Sequence, residues 1–155
     1  MFIIFLLSGS MAGFLLFVLA PYTLLYFNDF YQLPFFHHPI LTGFGIVLML
    51  SGIALFVYCT NIFLLIGHGT PAPLAPPKKL VVKGLYQQTR NPIYIGYILI
   101  LFGEFLFFGR LLLLVYAIVS SAFIHAFVVR FEEPRLKKRF GKEYEEYMKR
   151  VPRWI

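Results

Sequence analysis

ILTGFGIVLMLSGIALFVYCTNIFLLI, residues 40–66, contains no Asp, Glu, Lys or Arg. A helix over it is about 40 Å long at 1.5 Å per residue, more than a bilayer core of roughly 30 Å needs. Such a run reads as a membrane-spanning helix. Toward the N-terminus the same character continues, because Asp29 is the only acidic or basic residue between Met1 and Pro77. Phe2 to Phe27 is a second apolar segment, and its lack of a basic start argues for a retained helix rather than a cleaved signal peptide. Toward the C-terminus, Ile93 to Phe108 and Leu111 to Val129 add two more, about 24 and 28 Å long as helices. Asn91 and Pro92 suit the N-cap and first turn of the third segment. Gly109 and Arg110 leave room only for a tight hairpin before the fourth.

Composition excludes a soluble globule: of 155 residues, 59% are hydrophobic and 14% charged, against about 45–50% and about 25% in soluble domains. All fourteen Lys and Arg lie from Lys78 onward, giving a formal charge of +7. A basic half joined to a charge-poor half reads as positive-inside flanks, and no aromatic–basic recognition motif argues for nucleic acid. Lys and Arg fall in residues 67–92 and in the tail from Arg130, none in residues 28–39, and Arg110 alone in the hairpin. Only an even number of crossings puts both basic regions on one side. The expectation is an all-α integral membrane protein: one multi-pass domain over 1–155, four transmembrane helices, both termini cytoplasmic. Residues 67–92 form a cytoplasmic loop and 130–155 a cytoplasmic amphipathic helical tail.

The loop, GHGTPAPLAPPKKLVVKGLYQQTRNP, is long and, with Pro71, Pro73, Pro76 and Pro77, is not one helix. Long ordered loops are more often functional than not. Gly67-His68-Gly69 either lets the backbone approach a ligand or ends a packed helix. Tyr86, Arg90 and Tyr94 recur at steps of four and share a face if helical, with Arg90 a fixed cation suited to a carboxylate or to anchoring at the membrane. In the fourth segment Ser121, His125 and Glu132 align on one polar stripe, which should face the protein interior. His125 is either a packed histidine or a functional one. Adjacent Glu132 and Glu133 point different ways, so one meets a ligand while the other pairs with a base. Pro134 predicts a bend. Beyond it Leu136, Phe140, Tyr144, Tyr147 and Val151 form an apolar stripe interrupted at Gly141, which either lies on the membrane or closes over the bundle. Glu104, five residues before Gly109, is expected to snorkel to the surface. His37 and His38 lie on the other side from His68 and His125, so no metal centre is expected. Cys59 stands alone.

In order, GHGTPAP, KLVVKGLYQQTRNPIYIG, a short hairpin and FVVRFEEPRLKKRFGKEYEEYMKRVPRW resemble the isoprenylcysteine carboxyl methyltransferase family and its relatives among phospholipid N-methyltransferases, over roughly Gly67 to Ile155. The resemblance implies an integral membrane enzyme that uses S-adenosylmethionine, releases S-adenosylhomocysteine, and takes a lipidic or prenylated acceptor from the bilayer. It places the cofactor at Gly67, His68, Gly69, Tyr86, Arg90, Asn91, Tyr94, Glu132, Glu133, Tyr144 and Tyr147, and the catalytic roles at Arg90, His125 and Glu132. Asn91 departs from the pattern, since many relatives carry His there; it keeps hydrogen bonding without titrating. The expected acceptor is a carboxylate, and the alternative a phospholipid amine with His125 or a glutamate as base. A sterol-type reductase using a nicotinamide and a small four-helix transporter are the competing classes. The transporter leaves the long polar loop and the tail without a purpose. Oligomeric state is not set by the sequence.

Overall fold

The computed structural model describes residues 13–66 and 79–155. The expectations on Phe2 to Ala12 and on Gly67, His68 and Gly69 fall outside the described residues. Helix α1 covers Leu15–Phe30 and α2 covers Pro39–Leu65. A 3₁₀ turn at Gly84–Gln87 precedes α3, Pro92–Phe108. Helix α4, Leu111–Phe127, continues through a turn at Val128–Glu132 into α5, Glu133–Phe140, and α6 is Lys142–Arg150. Among the described residues no strand occurs beyond the isolated bridge of Phe35 with Arg110, so the fold is all-α.

Pro39–Ile62 and Leu111–Phe140 are long and apolar enough to cross a bilayer, while Leu15–Phe30 and Pro92–Phe108 are shorter apolar helices. Their surfaces carry exposed large apolar side chains, among them Leu50, Ile53, Val119 and Phe123. Water would penalise a surface so continuous, whereas lipid tails do not. The chain is a membrane protein.

Two prolines lie inside these helices, and neither breaks one. Each follows a π-helical turn: Leu15–Leu19 before Pro21, Val128–Glu132 before Pro134. In these turns the Ala20 N–H donates to Leu15 O and the Glu133 N–H to Val128 O, five residues back. A proline has no N–H to give, and its ring collides with the carbonyl four residues earlier. Widening the turn moves that carbonyl aside, a local adjustment that spares the helix in a medium without water. The bend expected at Pro134 is thus a π turn within a continuous helix.

The turn also changes which residues align. It absorbs one extra residue, worth about 100° of helical rotation. Glu133, rather than Glu132, therefore falls in line with His125, and the expected Ser121–His125–Glu132 stripe does not form.

The chain divides into two compact units, residues 1–53 with 97–119 and residues 54–96 with 120–155. In the first, the loop after α1 is clipped to the α3–α4 hairpin. Asn28, fully buried, donates from Nδ2 to Leu33 O (3.2 Å) and accepts the Leu112 N–H at Oδ1 (3.2 Å). Arg110 Nε lies 2.8 Å from Asp29 Oδ1, and its guanidinium covers the Phe35 ring at 4.7 Å. Gly109 turns the hairpin at φ +67°, where any Cβ is strained and would strike the Phe36 carbonyl. Helices α2 and α3 touch backbone to backbone: a Cβ on Gly45 would sit 2.7 Å from Gly103 O and 2.7 Å from Phe107 N. Glu104 does not snorkel. It is only 6% exposed, because it lies on the packed face of α3, and its Oε2 has no hydrogen-bond partner among the described residues.

The second unit holds two apolar clusters. Cys59, Val81, Tyr86 and Ile93 pack with Phe56, Ile62 and Tyr94. Tyr144, Tyr147 and Val151 pack with Leu80, Val82, Leu136, Phe140 and Met148. Leu80-Val81-Val82 feeds both, as extended chain does by pointing successive side chains to opposite sides. The tail stripe thus buries itself on the loop. Gly141 separates α5 from α6 at φ +54° and ψ −129°, a backbone conformation that only glycine adopts readily.

Candidate functional site

The polar residues singled out in the loop and tail meet in the second unit. After the 3₁₀ turn the chain leaves helical geometry at Thr89 and bends at Arg90 before Pro92 opens α3. Tyr86, Arg90 and Tyr94 therefore do not share a helical face, contrary to expectation. Tyr86 goes into the apolar cluster beside Cys59, and burial above all pushes its hydroxyl's pKa up. Its carbonyl accepts the Tyr147 hydroxyl at 2.6 Å. Burial, then the neighbouring Tyr144, raises the pKa of Tyr147 as well.

Arg90 points the other way. Its side chain is 8% exposed, and Nη1 lies 3.0 Å from Glu133 Oε1, itself on a side chain 8% exposed. The approach is an ion pair without a directed hydrogen bond: neither Nε nor Nη1 of Arg90 has a hydrogen-bond partner among the described residues. Glu133 gives its directed bonds to Arg153, whose Nε and Nη2 donate to Oε1 and Oε2 at 2.8 and 3.0 Å. That two-pronged contact raises the pKa of Arg153 further. Tyr144 completes the surroundings. Burial raises its pKa, Glu133 adds to the rise, and the adjacent Arg90 opposes it.

Glu132, turned away by the π turn, accepts the Tyr94 hydroxyl at Oε2 (2.7 Å). Of the two glutamates, then, Glu133 pairs with bases, and Glu132 is held by a neutral donor. Two guanidinium groups against one carboxylate leave Arg90, Arg153 and Glu133 with one positive charge in excess. An anion is the complement of that cluster.

His125 is exposed, and its Nδ1 accepts the Trp154 indole N–H at 3.1 Å. Asn91 is buried and donates from Nδ2 to Arg153 O at 2.9 Å. Thr89 Oγ1 donates to the same carbonyl at 3.1 Å, and the Arg90 N–H donates to Pro152 O at 3.0 Å. Residues 152–154 are thereby strapped to the loop, to Glu133 and to His125. Sequence reasoning missed Thr89 and Trp154. The signal for the second was a lone Trp beside an Arg after the last helix.

Of the expected site residues, Arg90, Asn91, Glu133 and Tyr144 come together. Tyr94 and Glu132 form a second contact, and Tyr86 and Tyr147 lock the loop to the tail.

A sequence model of the family described as phospholipid methyltransferase matches residues 40–143. Protein-S-isoprenylcysteine O-methyltransferase B of Arabidopsis thaliana is 36% identical over 75 residues, 48% of this chain and 38% of that protein. The chain thus matches well under half the length of this curated relative, and no solved structure matches it. The family match runs from α2 through the Arg90 and Glu133 pairing into α6, and so takes in the two helices that are long and apolar enough to span among the described residues and most of the polar cluster; the chain belongs to the phospholipid methyltransferase family.

Proposed function

We propose that the chain is an S-adenosylmethionine-dependent membrane methyltransferase acting on a carboxylate of a lipidic acceptor, of the prenylated-cysteine kind named in the relative above. One observation carries the reading: Arg90 is buried, and among the described residues its Nε has no hydrogen-bond partner while its Nη1 has only the undirected ion pair with Glu133. Such donors are costly unless a ligand completes them. The methyl donor carries a carboxylate, an ammonium and a sulfonium, and these residues fit it. Arg90 would hold the carboxylate, and Glu132 a cationic group. Tyr94, through its ring, would add a cation–π contact of about 0.5–2 kcal/mol. Gly67, His68 and Gly69 are proposed to border the same site. Tyr86, Asn91, Tyr144 and Tyr147 shape it from behind. When bound, the cofactor supplies an electrophilic methyl group; the chain's residues orient the partners and exclude water.

A carboxylate acceptor is favoured because it is ionised at neutral pH and needs no proton removed. Glu133 is committed to two arginines, Glu132 to Tyr94, and His125 Nδ1 to Trp154. The family's name favours the second reading, a phospholipid amine, for which His125 or Glu132 would serve as base. Turnover of a prenylcysteine analogue, compared with phosphatidylethanolamine over about pH 6 to 9, separates the two. Carboxylate methylation should be nearly flat with pH. Turnover of the amine alone, rising through a basic group and lost in His125→Ala, would overturn the proposal.

The Lys and Arg distribution supports four crossings in a single domain, with both termini and the site on the cytoplasmic side.

A further inference from the structure

We propose that Asn91 is a positioning residue. Through the main chain of Arg153 it sets the Arg153–Glu133 pair, and so keeps one edge of Arg90 open for the carboxylate of the methyl donor. The ligand's identity rests on the function proposed above; the positioning rests on geometry alone.

Two side-chain donors converge on a single acceptor: Asn91 Nδ2 at 2.9 Å and Thr89 Oγ1 at 3.1 Å from Arg153 O. Between them the Arg90 N–H takes the preceding carbonyl, Pro152 O, at 3.0 Å. Three consecutive loop residues thus fix the backbone of the residue whose side chain must present a two-pronged fork to Glu133. Arginine has many rotamers, and fixing its Cα is what makes one of them dominant. Asn91 spends its amide N–H on this main-chain carbonyl, inside a buried position where a lost bond is not replaced by water.

The effect passes to Arg90 by competition for one carboxylate. Both Glu133 oxygens take directed bonds from Arg153, at 2.8 and 3.0 Å, so Arg90 is left with a close but undirected approach at 3.0 Å. Without the Arg153 fork, Glu133 is free to turn and take Arg90 in the paired geometry that guanidinium and carboxylate prefer. The Nε and Nη1 donors would then be consumed internally. With the fork in place neither donates a directed hydrogen bond to the described residues, on a side chain more than nine-tenths buried, and the three groups together keep one positive charge in excess. Nothing in this role needs a proton to move. It needs an N–H two bonds beyond Cβ, which Asn Nδ2 provides and His Nδ1 would provide at the same reach.

The test uses the full chain in detergent or nanodiscs, with two probes and one internal reporter. S-adenosylhomocysteine carries the carboxylate; 5′-methylthioadenosine lacks the amino-acid end. Trp154 is the chain's only tryptophan, so its quenching by acrylamide reports the strap. In Asn91→Ala, calorimetry should show S-adenosylhomocysteine weakened about tenfold or more, methylthioadenosine within about twofold, and Trp154 more readily quenched. Asn91→His should restore all three values. Thr89→Val, which removes one of the two donors, should show the same pattern at smaller size and covers the case of a variant that fails to fold. Equal losses for both nucleosides, or no loss for either, would overturn the proposal. Wild-type protein that binds neither would instead overturn the methyl-donor reading and the ligand half of this proposal. Quenching then decides the strap alone, and an unchanged value in Asn91→Ala refutes it.

Discussion

Replacing Glu133 by Gln tests the polar cluster at its centre. The side chain keeps its volume and loses the charge that faces Arg90 and Arg153. The two partners should not contribute equally. Arg90 and Glu133 are each 8% exposed on their side chains, so removing the carboxylate strands a buried guanidinium, a change that costs about 3–5 kcal/mol where it has been measured. Arg153 is 32% exposed, and water screens its half of the contact to roughly 0–1 kcal/mol. Glu133→Gln should therefore lower stability by about 3 kcal/mol, about 150-fold in the unfolding equilibrium, mostly through Arg90. Reversible unfolding in mixed micelles, followed by Trp154 emission, gives the free energies. Double-mutant cycles with Arg90→Gln and Arg153→Gln apportion them. Coupling to Arg90 should exceed about 2 kcal/mol, and coupling to Arg153 should stay below about 1 kcal/mol. A Glu133→Gln protein within about 0.5 kcal/mol of wild type, or a reversed order of couplings, would refute the burial argument.

Gly45→Ala should destabilise the α2–α3 contact by about 1–3 kcal/mol, because its Cβ meets backbone that cannot move aside, whereas Gly43→Ala, with nothing within 4 Å, should be silent in the same thermal assay. Equal effects at the two positions would refute the close-packing account. Reporter fusions after Gln32 and after Ile155 should fall on opposite sides of the membrane; a shared side rejects four crossings with cytoplasmic termini. Truncation after Phe140 removes α6 and the strap, and should abolish S-adenosylhomocysteine binding while leaving membrane insertion intact; retained binding would show that the tail does not complete the site.

Much of this was legible before any coordinates. Charge-free runs marked the apolar helices, Asn91-Pro92 marked the start of α3, and Gly109 marked the hairpin, because each follows from local chemistry. Every residue of the stripe from Leu136 to Val151 packs in the tail's apolar cluster, which adds Met148 to it. What failed depended on partners distant in sequence. The four-residue rhythm of Tyr86, Arg90 and Tyr94 looked helical, but Pro92 and the bonds to residues 152–153 go with a bend at Arg90 that takes the chain out of the helix. Glu104 was expected at the surface from its place near a helix end, and only the packing of α3 put it inside. Pro134 marked the place of a backbone adjustment, but not its form, a π turn in a helix that continues. In an apolar medium, where every backbone group must be satisfied within the chain, widening one turn costs less than opening the helix.

The widened turn at Val128–Glu132 also bears on how roles pass between homologous chains. One surplus residue is lodged there, and the helix on either side keeps its facing. A relative that lacks the surplus builds a regular helix and sets its strap-facing carboxylate one place earlier in the string. An ungapped alignment then pairs that carboxylate with Glu132 of this chain, although its spatial counterpart is Glu133. Placing a single-residue gap between 128 and 132 restores the match. For two glutamates with such different neighbours, an arginine pair for one and a tyrosine hydroxyl for the other, that gap decides which mutation in a relative is the equivalent experiment.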